Sequence, residues 1–231
     1  MLLGGLQKLT LIDFPGRVAA TVFTIGCNFF CPFCYNSELV DAKKIKKHPQ
    51  IPEEDFFNFL KERQGMLDGV CITGGEPTLQ ADLPEFIKKI KELRFLVKLD
   101  TNGARPEILS DLLEQKLVDY IAMDIKGPLE KYHKFADAAD ILEKIHQSTQ
   151  IIRQMPDYEF RTTAVPSLHE KEDFLSIARW LEGAKKYYIQ QFKAEKTLDS
   201  AYSSIKPYPD EQLVEFCQIA KPYFEICEVR V

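Results

Sequence analysis

Three cysteines within eight positions are the side chains best placed to do chemistry. The segment G-C-N-F-F-C-P-F-C-Y-N separates Cys27, Cys31 and Cys34 by three and then two residues. A short loop with that spacing can aim three thiolates at one face of a small inorganic cube, and a cube of four irons then keeps one iron without a protein ligand. That open iron is where a chelating substrate binds. Zinc is the competing occupant, but structural zinc takes four protein ligands, often in paired knuckles. Cys71, Cys217 and Cys227 stand singly, and neither a Cys-x-x-Cys nor a His-x-His partner occurs elsewhere. A non-catalytic iron–sulfur or zinc clip is therefore the reading to be weighed against an enzyme.

Further polar residues lie at the ends of apolar runs. C-I-T-G-G-E-P-T-L-Q carries Gly74, Gly75, Glu76 and Pro77, where adjacent glycines let a main chain approach a ligand and a carboxylate suits an ammonium. L-D-T-N-G holds Asp100, Thr101 and Asn102, and M-D-I-K holds Asp124 and Lys126. Taken one at a time these are strand-end caps or surface charges. Taken together, at the carboxyl ends of successive strands, they belong to one rim, which is where an α/β barrel builds its site.

The elements needed to position them are legible as an alternation. Val18 to Gly26, Gly69 to Gly75, Leu96 to Asn102, Tyr120 to Lys126, Glu159 to Pro166 and Lys186 to Phe192 read as buried strands. Leu83, Phe86, Ile87, Ile90 and Leu93 recur at helical spacing, as do Ile108, Leu109, Leu112, Leu113 and Leu117. The Phe56, Phe57, Phe59 and Leu60 cluster is expected to pack a helix on the sheet, and a last helix at about Asp210 to Lys221 precedes the strand-like E-I-C-E-V-R-V. Alternating strands and helices imply parallel strands joined by crossovers. Six such units fit 231 residues, so an open, partial (β/α)6 barrel forming a single domain over residues 1–231 is expected.

Composition narrows the partners. The 45% apolar and 28% charged shares are those of a globular protein, and no apolar run approaches the roughly 20 residues of a membrane helix. The first residues lack the pattern of a secretory signal, so a cytoplasmic location is expected. A net charge of −5 with interspersed signs marks no face for nucleic acid. In a reducing compartment the cysteines are expected to be ligands or core residues rather than disulfides.

The Cys27-x-x-x-Cys31-x-x-Cys34 loop, with the aromatic Phe33 before its third cysteine, resembles the signature of the radical S-adenosylmethionine (SAM) superfamily. The resemblance implies a [4Fe–4S] cluster whose open iron binds the amino and carboxylate groups of SAM. It also implies reductive cleavage of the S–C5′ bond, giving methionine and a hydrogen-abstracting 5′-deoxyadenosyl radical. Gly74, Gly75, Glu76 and Pro77 are similar to the segment of that family that meets the SAM amino group. The L-D-T-N-G and M-D-I-K segments resemble those of the pyruvate formate-lyase activating enzymes. On that resemblance Asp100 and Thr101, with Asp124 and the carbonyl of Ala122, hold a monovalent cation against the SAM carboxylate, and Lys126 pairs with the same carboxylate. Asn102 joins the SAM site.

Lys193 aligns by position with a ribose-contacting histidine of those activases, with Gln191 nearby, and Arg161 ends the fifth strand. Tyr35 departs from the histidine that commonly follows the third cysteine, which alters hydrogen bonding beside the cluster. Cys71, Cys217 and Cys227 read as small core residues, and His48, His133, His146 and His169 as solvated or structural. The order G-G-L-Q-K-L-T-L-I-D-F-P-G, cysteine loop, GGEP, DTNG and DIK resembles the activating proteins of anaerobic ribonucleoside-triphosphate reductase. That branch implies a glycyl radical enzyme as partner and an electron donor such as flavodoxin or ferredoxin. A radical SAM enzyme acting on a small molecule, such as a 7-carboxy-7-deazaguanine synthase, is the alternative.

Overall fold

A computed structural model describes residues 1–135 and 141–231, which form two compact units. The first comprises residues 1–28, 38–101 and 105–121, the second residues 29–37, 102–104 and 122–231. In chain order the elements are β1 (Leu3–Thr10), β2 (Ala19–Thr24), α1 (Ser37–Val40), α2 (Ala42–Ile45), α3 (Glu53–Glu62), β3 (Gly69–Gly74), α4 (Leu83–Glu92), β4 (Leu96–Thr101), α5 (Pro106–Glu114) and β5 (Tyr120–Asp124). They continue with α6 (Ile141–Ile152), β6 (Tyr158–Ala164), α7 (Lys171–Trp180), β7 (Lys186–Gln191), α8 (Asp210–Ala220) and β8 (Ile226–Arg230). Strands alternate with helices from β3 onward, as expected of an α/β chain.

In the first unit β2 pairs in parallel with β3, and β3 with β4, while β1 runs antiparallel to β2. These parallel strands are buried on both faces: Val22, Val70, Ile72, Val97 and Leu99 line one, and Ala19, Cys71 and Lys98 lie on the other. The helices earn their places by periodicity. Phe56, Phe59 and Leu60 form the buried stripe of α3, and Leu83, Phe86, Ile87 and Ile90 that of α4. Phe56 stacks on Phe86 with ring centroids 5.2 Å apart, so where a helix-on-sheet contact is expected of the phenylalanine cluster, this pair joins α3 to α4. β1 is an element the sequence does not announce: L-G-G-L-Q-K-L-T has two glycines and buries only its first and last residues.

In the second unit β6, β7 and β8 form parallel pairs, with Phe160 opposite Tyr187 and Tyr187 opposite Cys227. Phe174 of α7 stacks on Phe216 of α8 at 4.6 Å, closing the apolar layer over these strands. The last helix and the strand E-I-C-E-V-R-V thus stand where the sequence puts them. Among the described residues no helix is long and apolar enough to cross a membrane.

Candidate active site

In the first unit, register fixes which candidate residues lie side by side. Thr24, at the end of β2, lies opposite Gly74, at the end of β3, so the segments leaving the two strands emerge side by side. One begins the cysteine loop at Gly26 and Cys27; the other is Gly75-Glu76. The Gly75 N–H donates to the Thr24 carbonyl at 2.9 Å, and the Glu76 N–H donates to the Gly26 carbonyl at 2.7 Å. The Gly26 N–H donates to the Leu39 carbonyl at 2.8 Å, so the root of Cys27 is tied on both sides.

This closeness explains both glycines. Gly74 has φ +117°, and a Cβ there would lie 2.3 Å from the Thr24 nitrogen; at Gly75 it would lie 2.0 Å from the Gly26 oxygen. Neither neighbour is a side chain that could swing aside. Gly75→Ala should therefore cost about 3 kcal/mol through overpacking against backbone. Equilibrium urea unfolding checks it, and a loss below 1 kcal/mol would show that the two segments separate easily.

Glu76 is 1% exposed. Its Oε1 accepts from the Thr78 N–H at 3.1 Å, the Thr78 hydroxyl at 2.6 Å and the Thr101 hydroxyl at 2.8 Å. Donors on one oxygen lock the rotamer of a carboxylate that is otherwise free to spin. Thr101 of the D-T-N segment is thereby joined to the G-G-E segment. Asp100 accepts a charge-assisted hydrogen bond from Lys98, a lysine 1% exposed that also lies 3.8 Å from the Cys71 sulfur. Burying an ammonium requires such a partner.

The second unit holds Cys31, Cys34 and the M-D-I-K segment. Phe33 is buried and meets Phe135 edge-on at 6.1 Å, while the Cys34 N–H donates to the Cys31 carbonyl at 3.0 Å, so the loop is a turn anchored by an aromatic. Asp124 accepts from the Lys126 ammonium at 2.9 Å and from the Arg161 Nε–H at 2.6 Å, on different oxygens. Burial works against its charge, but the charges of Arg161 and Lys126, with hydrogen bonds from both, outweigh it and hold the carboxyl far below the usual range. Burial likewise opposes the charge on Lys126, yet Asp124, Cys31 and Cys34 together push its pKa above the ordinary lysine value. Lys126 thus lies in the electrostatic field of two of the three loop cysteines.

The main chain of the same segment is held as firmly. The Lys126 N–H donates to the Tyr132 hydroxyl at 3.2 Å, and its carbonyl accepts from His169 Nε2 at 2.7 Å. His169 Nδ1 accepts from the Val165 N–H at 3.1 Å, which leaves the proton on Nε2. Burial lowers the His169 pKa, so the ring is neutral and serves as a bridge between segments. Arg161 also lies 3.8 Å from Glu159, which is fully buried and accepts bidentate bonds from Arg230 at 2.7 and 2.8 Å. Arg161, Glu159, Arg230 and His169 are contributors that the sequence does not assign to the site.

Tyr35, the departure in the cysteine loop, stacks on Phe192 at 6.3 Å, and its hydroxyl accepts from the Lys193 N–H at 2.7 Å. Burial, reinforced by Cys34, raises the pKa of this phenol, so it stays protonated. Lys193 therefore meets the cysteine loop through its backbone, with its side chain exposed. Asn102 accepts from the Ala104 N–H at 2.9 Å, capping the turn after β4, and Ala122 is buried in β5. Gln191 donates through Nε2 to the Tyr208 carbonyl at 2.7 Å and to Asp210 at 3.1 Å, while its buried Oε1 has no hydrogen-bond partner. A buried acceptor left open is costly and suits a ligand that brings a donor.

The chemistry of each unit's residues fits a cluster and SAM: in the first, Cys27 and the fixed carboxylate of Glu76; in the second, Cys31 and Cys34 with Lys126 in their field, and the buried Gln191 acceptor. A monovalent cation fits less well, since both Asp124 oxygens already hold cationic side chains.

Comparison with known proteins agrees. The Radical SAM superfamily model matches residues 21–188. A protein of Methanocaldococcus jannaschii with the provisional name glycyl-radical enzyme activating enzyme is 34% identical over 236 residues, covering 99% of this chain and 95% of the relative. A 7-carboxy-7-deazaguanine synthase of Thermococcus kodakarensis is 27% identical over 192 residues, 76% of this chain and 74% of that one. Streptococcus suis SuiB, solved with S-adenosylmethionine bound, superposes with a TM-score of 0.62 at 15% identity over 88% of this chain and 48% of SuiB. That likeness shows the fold, an α/β arrangement of parallel strands and helices shared with radical SAM proteins. With the family model spanning residues 21–188 and a relative 34% identical over 99% of the chain, the chain belongs to the radical SAM superfamily and is a radical SAM enzyme.

Proposed function

We propose that the chain is an activase, which cleaves SAM reductively and takes a hydrogen atom from a glycine of a partner enzyme, anaerobic ribonucleoside-triphosphate reductase. The observation that carries this reading is the near full-length similarity to a relative named for activating glycyl radical enzymes, shared over 99% of the chain. Cys27, Cys31 and Cys34 are assigned to the [4Fe–4S] cluster. When reduced by a flavodoxin or ferredoxin, the cluster supplies the electron that splits the sulfonium of SAM.

The protein's own residues bind and orient. Glu76, its rotamer locked by Thr78 and Thr101, is assigned to the SAM ammonium together with the main chain of Gly74 and Gly75. Lys126 is assigned to the SAM carboxylate as a point charge, with Asp124 and Arg161 fixing its height. Gln191 Oε1 accepts from a ribose hydroxyl or the adenine amine, the donors that SAM brings. Phe33 walls the loop, Asn102 shapes the turn beside Thr101, and Tyr35 ties the loop to the backbone of Lys193. The monovalent cation expected at Asp100, Thr101, Ala122 and Asp124 is left out of this assignment, because Asp124 is already charge-matched. A cytoplasmic location completes the reading.

The test is electron paramagnetic resonance of the reduced, reconstituted chain mixed with SAM and the large subunit of an anaerobic ribonucleotide reductase. A glycyl radical should form, accompanied by one 5′-deoxyadenosine per radical. SAM cleavage with no radical on the partner would overturn the activase reading. It would favour a small-molecule substrate of the deazaguanine-precursor class.

A further inference from the structure

The sequence sets Cys217 and Cys227 aside as core residues, yet the fold brings them together. Cys217, on α8, and Cys227, on β8, have sulfurs 3.2 Å apart, both unoxidised, and the Cys227 thiol also reaches the Cys217 carbonyl at 3.6 Å. Both are buried, at 8% and 6% exposure, but both line a groove at the surface. Beside them lies an open groove of about 440 Å³ lined by Cys217, Gln218, Lys221, Cys227 and Glu228. None of these residues belongs to the SAM site. We infer that Cys217 and Cys227 form a second redox site, a dithiol that reduces a small hydroperoxide entering this groove and closes to an intrachain disulfide.

The two sulfurs are not equivalent. A hydrogen bond from Cys227 lowers the Cys217 pKa against the opposing effect of burial, with Lys221 helping, whereas its partner's hydrogen bond and burial push the Cys227 thiol up. With the Cys227 thiol also directed at the Cys217 carbonyl, Cys217 is assigned as the attacking thiolate and Cys227 as the resolving thiol. The Cys217 thiolate attacks one oxygen of hydrogen peroxide; the O–O bond breaks and the departing hydroxide takes up a proton to become water. The Cys227 sulfur then attacks the sulfenic acid at Cys217, forming the S–S bond and releasing a second water. Two thiols lose two electrons and one peroxide becomes two waters. The sulfurs need only close from 3.2 Å to about 2.0 Å, within reach of a side-chain rotation.

The test titrates the reconstituted, anaerobic protein with hydrogen peroxide until every thiol able to react has done so, then alkylates and maps the cysteines by mass spectrometry. The expected result is a Cys217–Cys227 linked peptide, about 2 Da lighter than the reduced pair and released by dithiothreitol. Dimedone should trap a sulfenic acid at Cys217 in Cys227→Ser, and Cys217→Ser should slow peroxide consumption at this pair by at least about tenfold. Alkylatable thiols at both positions in the wild-type chain, after the cluster has bleached, would overturn the inference. So would a sulfenic acid trapped at Cys227 instead of Cys217.

Discussion

Cys31→Ala should purify with almost no iron or sulfide and should cleave no SAM above the level seen without reductant. Cys31 is buried in the cysteine loop, and its side chain is small, so its loss removes little packing. Truncation by one sulfur costs about 1 kcal/mol of stability. On the proposed assignment what is lost is a ligand: two thiolates should not retain a cube of four irons, and without the cube no electron should reach the sulfonium. Cys71→Ala is the control. Cys71 is as buried as any residue of β3, but it lies in the strand interior beside Lys98, away from the loop sequence. It should keep its iron, and SAM cleavage within about twofold of wild type. The measurements are iron and sulfide per chain and 5′-deoxyadenosine formed under dithionite. Full iron content in Cys31→Ala would remove that residue from the ligand set, and loss of iron in Cys71→Ala would place a core cysteine in it.

The cysteine loop and the G-G-E and D-I-K segments are legible in the sequence because chemistry constrains their spacing locally. Three cysteines on one short loop are read from their spacing alone, and glycines that touch a neighbouring backbone must be glycines. The parallel strands are legible for a different reason: covered on both faces, they are written as continuous apolar runs. β1 escapes because its two glycines and three exposed residues carry neither alternation nor an apolar run, and its partner β2 supplies its hydrogen bonds. The ionic frame escapes because its members are far apart in the chain. Arg161 reaches Asp124 across 37 positions, His169 reaches the Lys126 carbonyl across 43, and Arg230 reaches Glu159 across 71. No local pattern marks such pairs; each residue alone reads as a surface charge or a stray histidine. The same holds for Cys217 and Cys227, whose burial is legible from their apolar neighbours while their mutual contact is not.

Asp124→Asn should destabilise the chain by about 2–3 kcal/mol at neutral pH, less than a wholly buried pair because the carboxylate is 31% exposed. The amide keeps the shape but leaves Lys126 and Arg161 as two confined cations without their shared counter-charge. SAM affinity should fall with it, since Lys126 would lose the partner that fixes its position. The pH dependence identifies the cause. The folded-state pKa of Asp124 is depressed, so its contribution is fully present above the unfolded carboxylate value of about 3.9 and is lost as pH falls toward the folded one. Wild type should therefore lose stability relative to Asp124→Asn by about 1 kcal/mol per pH unit below pH 4, and the two should converge in acid. Lys126 behaves in the opposite sense: its raised pKa makes its contribution complete below about 10.4 and lost as pH rises beyond that. Urea midpoints of the metal-free chains between pH 7 and pH 3 decide the matter. A gap that stays constant over that range would mean that the aspartate acts through its shape alone, and the cationic frame around Lys126 would then lose its electrostatic basis.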